Sequence, residues 1–244
     1  MIAASRDFVC ARLLTYESAA EAKVLLGVFR GRDGLENSTF AILDPSGREQ
    51  LVRSGRSPSW AFDDAAAMAA AMQRIAQRYP GREDAEPIGL PRCADVRRGL
   101  GVAAADQLQL AIVTGDGAAR ARLEARLAEL AWSDDLIGRL VYARADADTD
   151  WSAIAGGADR PAAGLVIVRP GEFGVDGQVV AIVEDGELDA RELLAAVKAW
   201  APGPVDTARL RARGARAGIE WQTAIPVSDR RGPDRDVDRG RRRR

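Results

Sequence analysis

The sequence predicts an α/β protein built as two layered units, on three observations. Short apolar runs such as Leu108 to Thr114 (LQLAIVT), Gly164 to Val168 (GLVIV) and Gln178 to Val183 (QVVAIV) have the length and the branched side chains of buried strands. Between the runs, apolar residues recur three and four apart, the stripe of helices that cover a sheet. Finally, Tyr79 to Pro91 (YPGREDAEPIGLP) holds three prolines, two glycines and four charges with no periodicity, which reads as a linker.

The first unit opens with Phe8 to Leu14 (FVCARLL), short and apolar between polar residues, which predicts a buried strand with Cys10 pointing into a core. From Ser18 onward Ala22, Leu25, Leu26 and Phe29 form a helical stripe that ends near Gly31, with one face on that strand. Thr39 to Leu43 is a second strand. Asp44-Pro45-Ser46-Gly47 is a turn with proline at its second position, and Glu49 to Arg53 returns as a hairpin. Asp63 caps a helix in which Met68, Met72, Ile75 and Tyr79 line one side and Gly81 follows the end.

In the second unit a short helix around Asp95 to Ala105 precedes the Leu108 strand, and Ala119 to Leu130 is a helix with Leu123, Leu127 and Leu130 on one face. Leu140 to Ala143 is a strand, Trp151 to Ile154 a turn of helix, and the two apolar runs from Gly164 and Gln178 lead into a helix from Asp189 to Trp200. The order is β-α-β-α-β-β-α: parallel crossovers closed by an antiparallel hairpin and a helix. The first half repeats the end of this pattern, so two copies of one fold are the economical reading.

Composition narrows the chemistry. With 244 residues, 47% apolar and 29% charged, the chain can build cores without disulfides or metals. It has no histidine, and Cys10 and Cys93 are its only thiols, so histidine bases, histidine triads and the usual zinc clusters are excluded. Asp146, Asp148 and Asp150 match the start of a calcium loop, but Trp151 stands where that loop needs glycine and Gly157 where it needs a bidentate glutamate. No glycine-rich nucleotide fingerprint opens a helix after a strand, so neither a cofactor site nor a metal site is expected. No apolar run approaches the roughly 20 residues of a membrane span, and the first residues lack a basic and then apolar leader; the chain as written reads as cytoplasmic, and as extracytoplasmic if residues carrying a leader precede Met1. Arginine supplies 33 of the 35 basic residues, which points to coding bias before phosphate binding. Asp229 to Arg244 (DRRGPDRDVDRGRRRR) reads as a disordered basic tail; its four aspartates and its lack of aromatic residues argue against a dedicated nucleic-acid arm.

The β-α-β-α-β-β-α unit resembles the thioredoxin-like superfamily. Thr39-Phe40-Ala41-Ile42-Leu43-Asp44-Pro45-Ser46-Gly47-Arg48-Glu49 is similar to that family's third strand, turn and fourth strand, and Met1-Ile2-Ala3 is similar to the residues after the second cysteine of its C-x-x-C-K-M-I-A pattern. The resemblance implies tandem thioredoxin-like domains: a partial one over residues 1–79, a linker over 80–94, a degenerate one over 95–203, and an extension with the Arg-rich tail over 204–244. It also implies that the first domain lacks its N-terminal strand, and that a C-x-x-C or selenocysteine segment lies just ahead of Met1. Family chemistry needs a dithiol at a helix N-terminus, where the dipole and free N–H groups stabilise the attacking thiolate. Neither domain carries one: the equivalent turn in the second is Gly115-Asp116-Gly117-Ala118. The family's cis-proline position falls on Ser38 in the first domain, and Pro161 lies a few residues early in the second.

The resemblance therefore implies a relative of thiol–disulfide oxidoreductases in which these 244 residues hold no catalytic residue and are inactive alone; the alternative is a complete, redox-inactive interaction module. Protein or peptide partners are implied, laid along Asn37, Ser38 and Thr39. Cys93, beside Arg92, Arg97 and Arg98, is the better redox candidate and Cys10 the poorer, because the strand assignment buries it.

Overall fold

The computed structural model describes residues 2–13, 18–30, 39–81, 88–198, 200, 202–203 and 205–219. They form two compact units, one within residues 1–85 and the other within 86–220.

In the first unit, α1 (Ile2–Ser5) packs against α3 (Ala65–Arg78), so Ala4 joins Met72 and Ile75 in a small core with Ile42. The cap of α3 is Asp64, not the predicted Asp63: only Asp64 combines an extended backbone with a carboxylate reaching the Ala67 amide at 2.7 Å. α2 (Ala19–Val28) starts where its stripe predicts, with Ser18 as cap, and buries Ala22 and Leu25. The strand expected at Phe8–Leu14 does not form over the described residues 8–13, which are irregular with Cys10 exposed. Leu14 lies outside the described residues. The predicted hairpin is reduced to two antiparallel bridges, Phe40 with Gly55 and Leu43 with Gln50. Asp44 organises its turn, accepting hydrogen bonds from the amides of Ser46, Arg48 and Glu49 and from the Ser46 hydroxyl.

The second unit is a five-stranded mixed sheet in the order β2-β1-β4-β5-β3. β1 (Gln109–Thr114) is central, parallel to β2 (Leu140–Arg144) and antiparallel to β4 (Gly164–Pro170). β4 turns back into β5 (Gly177–Glu184), and the two-residue β3 (Ile154–Ala155) adds a parallel edge to β5, in place of the helical turn predicted at Trp151–Ile154. Arg92 bridges in parallel to Tyr142, extending the sheet past β2. Every β1 residue is buried, because the sheet is covered on both faces. One face carries α5 (Gly117–Ala131) and α6 (Ala190–Lys198), whose Leu123, Leu127 and Leu193 meet Val113, Leu165 and Ile167. The other carries α4 (Val96–Asp106), whose Leu100 and Ala103 meet Leu110, Ile112 and Val166. A side chain at Gly99 would come within 2.8 Å of Leu110, so glycine sets how closely α4 approaches β1.

Coverage on both faces fails at β5, where Val180 and Ile182 are exposed. A register shift between Ile167 and Val168 changes which β5 residues face each layer. A final helix, α7 (Thr207–Arg216), follows α6, and its Arg213 pairs with Glu172 in the β4–β5 turn. Among the described residues, no helix is long and apolar enough to cross a membrane.

Two buried groups make contrasting predictions. Tyr142 sits on the α5 face with its hydroxyl buried and unbonded, and burial pushes its ionisation well above the usual phenol range. Tyr142→Phe removes an unsatisfied polar atom and should leave urea-denaturation stability equal or up to about 1 kcal/mol higher, whereas Leu127→Ala in the same layer should cost about 2–5 kcal/mol. The hydrogen bonds on Asp44, that from the Ser46 hydroxyl foremost, hold its pKa at about 2 against an ordinary 3.8. A depressed carboxylate stabilises the fold above its unfolded pKa and loses that contribution as pH falls through the folded one. The stability advantage of wild type over Asp44→Asn should therefore be constant above about pH 5 and shrink toward pH 2, with a carboxyl NMR titration placing Asp44 near 2.

Candidate functional site

The second unit gathers its chemistry where β1 delivers the chain into α5. In parallel α/β units the carboxyl ends of strands meet helix N-termini, which present free N–H groups and a positive dipole end. The turn is Gly115-Asp116-Gly117, with Gly115 at φ 118° and Gly117 at φ 42°, conformations that side chains resist. Asp116 is the N-cap by position, but its carboxylate makes no capping hydrogen bond. Antiparallel pairing of Thr114 with Gly164 sets the entry to β4 beside this turn, and the Thr114 hydroxyl donates to the Gly164 carbonyl at 3.2 Å. A Cβ on Gly115 would stand 3.4 Å from that of Ala163, and one on Gly164 would come within 2.9 Å of the Pro161 ring, so the Gly115 turn and the entry to β4 lie in close contact.

Two arginines share one carboxylate at this end of the sheet. Arg120, one turn into α5, reaches the Asp146 carboxylate at 3.2 Å and the Ala145 carbonyl at 3.3 Å. Arg144, at the end of β2, reaches the same carboxylate oxygen at 3.2 Å. The Asp146 amide donates to Thr149 Oγ1 at 2.8 Å. Asp150 accepts from both the hydroxyl and the amide of Ser152, which lower its pKa in that order. Two of the three aspartates that match a calcium loop are thus engaged in arginine pairs and a local turn. Among the described residues, no three His, Cys, Asp or Glu side chains are gathered to hold a metal ion.

The predicted site residues are scattered. Asn37 and Ser38 lie outside the described residues; Thr39 leads into the Phe40 bridge, half-buried, with its hydroxyl unbonded. Cys10, expected in a core, is exposed, with its thiol 3.9 Å from the Ser5 carbonyl. Cys93 is half-buried against the α4-side core; its amide donates to the Tyr142 carbonyl at 2.8 Å, and the neighbouring Arg98 guanidinium is paired with Asp95 at 3.3 Å. Neither thiol stands at a helix N-terminus. Arg120, Arg144 and Asp146 were not legible as a group, because only the β1–β2 register, which sets Val113 beside Arg144, brings them together.

Comparisons with protein-family models, with curated proteins and with solved structures found no match.

The exposures reverse the expected order of thiol reactivity. In the folded protein Cys10 should be modified by a bulky maleimide faster than Cys93, and the two rates should converge in denaturant. Preferential labelling of Cys93, read by peptide mass mapping, would contradict the placement of residues 8–13.

Proposed function

We propose that the chain is a thioredoxin-like protein, related to thiol–disulfide oxidoreductases, in which the unit within residues 86–220 binds an extended protein or peptide segment without exchanging disulfides. The observation that carries this reading is the sulfur-free turn at the helix N-terminus: Gly115-Asp116-Gly117 stands where the resemblance would put a dithiol, beside the entry to β4. Support also comes from connectivity. β1, α5, β2, β4, β5 and α6 follow one another with a parallel first pair and an antiparallel hairpin, as the resemblance implies. The departure is the segment between β2 and β4, where β3 and a single 3-10 turn (Gly157–Asp159) stand in place of the family's second helix.

This surface suits backbone recognition. Apart from Asp116, residues 115–118 and 161–164 are glycine, alanine and proline, so a partner's main chain can approach closely, and the helix N-terminus, where the Asp116 carboxylate makes no capping hydrogen bond, offers donors to a carbonyl. A second reading, a thiol–disulfide oxidoreductase whose C-x-x-C or selenocysteine segment precedes Met1, is favoured by α1. Its burial of Ala4 against α3 agrees with the resemblance of Met1-Ile2-Ala3 to the helix that follows such a motif.

Binding and redox chemistry are separable by experiment. The 244-residue chain should fail to reduce insulin above background. It should bind reduced, carboxymethylated lactalbumin as an unfolded polypeptide, with hydrogen-exchange protection confined to residues 115–118 and 161–164. Ala162→Arg, at an exposed position beside the turn, should weaken that binding about tenfold or more. Insulin turnover abolished by Cys10→Ser or Cys93→Ser would overturn the redox-inactive reading, and binding that leaves residues 115–118 and 161–164 unprotected would overturn this binding surface.

A further inference from the structure

We infer that the chain pairs with a second copy of itself through the outer edge of β5, the two strands running antiparallel about a two-fold axis at Ile182. β5 is bonded to β4 along its inner side, but among the described residues its outer side is paired only at Gly177 and Gln178, by the two-residue β3. Val179 to Glu184 is left as a sheet edge. Such an edge presents unpaired amides and carbonyls, and natural proteins blunt it with lysine, proline or an inward-pointing charge. The run Val179-Val180-Ala181-Ile182-Val183 contains none of these. It carries instead two branched apolar side chains with much of their surface in water, Val180 at 42% and Ile182 at 39% exposure.

The ladder to β4 shows which backbone groups this edge offers. Beyond the register shift, which skips Val180, residues Ala181 to Glu184 pair regularly with Ile167 to Gly164. The Asp185 amide donates to the Ala163 carbonyl. By the alternation of an antiparallel ladder, Val183 and Ala181 then also turn their amides and carbonyls to β4, and Glu184 and Ile182 turn theirs outward.

A second copy is the occupant these groups fit. Two antiparallel copies of one edge present the same groups to each other, so the contact is isologous and closes at two chains. With the axis at Ile182, that residue exchanges both of its hydrogen bonds with its own counterpart. Ala181 then lies opposite Val183 and Val180 opposite Glu184, so exposed apolar surface is covered and no like charges meet. Moving the axis to Ala181 would drive Glu184 into the place beside Gln178 that β3 holds, and moving it to Val183 would set Ile182 against Glu184. β3 therefore selects the register as well as ending the free edge. A formal net charge of −1 adds no general repulsion between the copies.

Sedimentation velocity of the full chain between about 1 and about 200 µM tests the pairing. The expected result is a mass that rises from 26.1 kDa toward twice that value with a Kd of roughly 10–100 µM, because a single strand edge lies at the small end of protein interfaces. In amide hydrogen exchange the same rise in concentration should slow Ile182 and Glu184 and leave Ala181 and Val183, already bonded to β4, unchanged. Ile182→Lys brings two ammonium groups together at the axis and should weaken association at least about tenfold. Val180→Lys, set opposite Glu184 of the other copy, should leave association equal or tighter. Both positions are exposed, so the far-UV circular dichroism of each variant should match wild type. A mass that stays at one chain throughout, association indifferent to Ile182→Lys, or concentration-dependent protection away from β5 would overturn the pairing. A single chain whose β5 edge is protected only on adding carboxymethylated lactalbumin would overturn it as well, and would make the edge a peptide site. Should Ile182→Lys fail to fold, the exchange pattern of the wild type decides.

Discussion

The second unit depends on the complete desolvation of β1. A strand buried on both faces and hydrogen-bonded along both edges leaves its backbone no recourse to water, so each amide and carbonyl must find a ladder partner. β2 supplies one edge in parallel and β4 the other antiparallel, which fixes both registers at once. From that constraint follow the rest: α4 must approach closely enough that Gly99 has no side chain, α5 must cross over to return the chain to β2, and β4 must begin beside the point where β1 ends. The close approach of Gly115 and Ala163 is a by-product of that geometry, and it fixes glycine at Gly115 and Gly164, where positive φ and, for Gly164, the Val183 carbonyl leave a side chain no place.

The same constraint explains what the sequence made legible. The runs at residues 108–114, 164–168 and 178–183 are strands within a residue or two of expectation, since a doubly covered strand has to be apolar throughout. Helix stripes such as Leu123 and Leu127 were equally plain. Phe8–Leu14 met the same compositional test, yet its described residues 8–13 form no strand, because an apolar run becomes a strand only when a neighbour completes its ladder, and partner strands are remote in sequence. β3 failed in the opposite direction: two residues beside β5 become a strand solely through register with Gly177 and Gln178. The arginine–aspartate cluster was hidden for a related reason, since Arg120, Arg144 and Asp146 are joined by a parallel pairing and not by spacing along the chain.

Arginine, abundant everywhere in this chain, serves different physical ends in different places. Arg126 donates to the backbone carbonyls of Asp185 and Leu188 at 2.8 and 2.9 Å and ties the exit of β5 to α5. Arg120 caps the Ala145 carbonyl while sharing a carboxylate with Arg144, and Arg160 stacks over Trp151 with 4.9 Å between the guanidinium carbon and the ring centre. Arg126 and Arg120 thereby join segments distant in sequence, and Arg160 closes a local loop; each guanidinium binds a carbonyl or a ring that the fold itself supplies. The hydrogen bonds and ion pairs of Arg209 and Arg213 are of another kind: carboxylates at the surface, one of them within the same helical turn. Arg98, paired with Asp95 three residues before it at 3.3 Å, is of this second kind inside the sheet unit, so what an arginine touches, and not its place along the chain, separates the two uses.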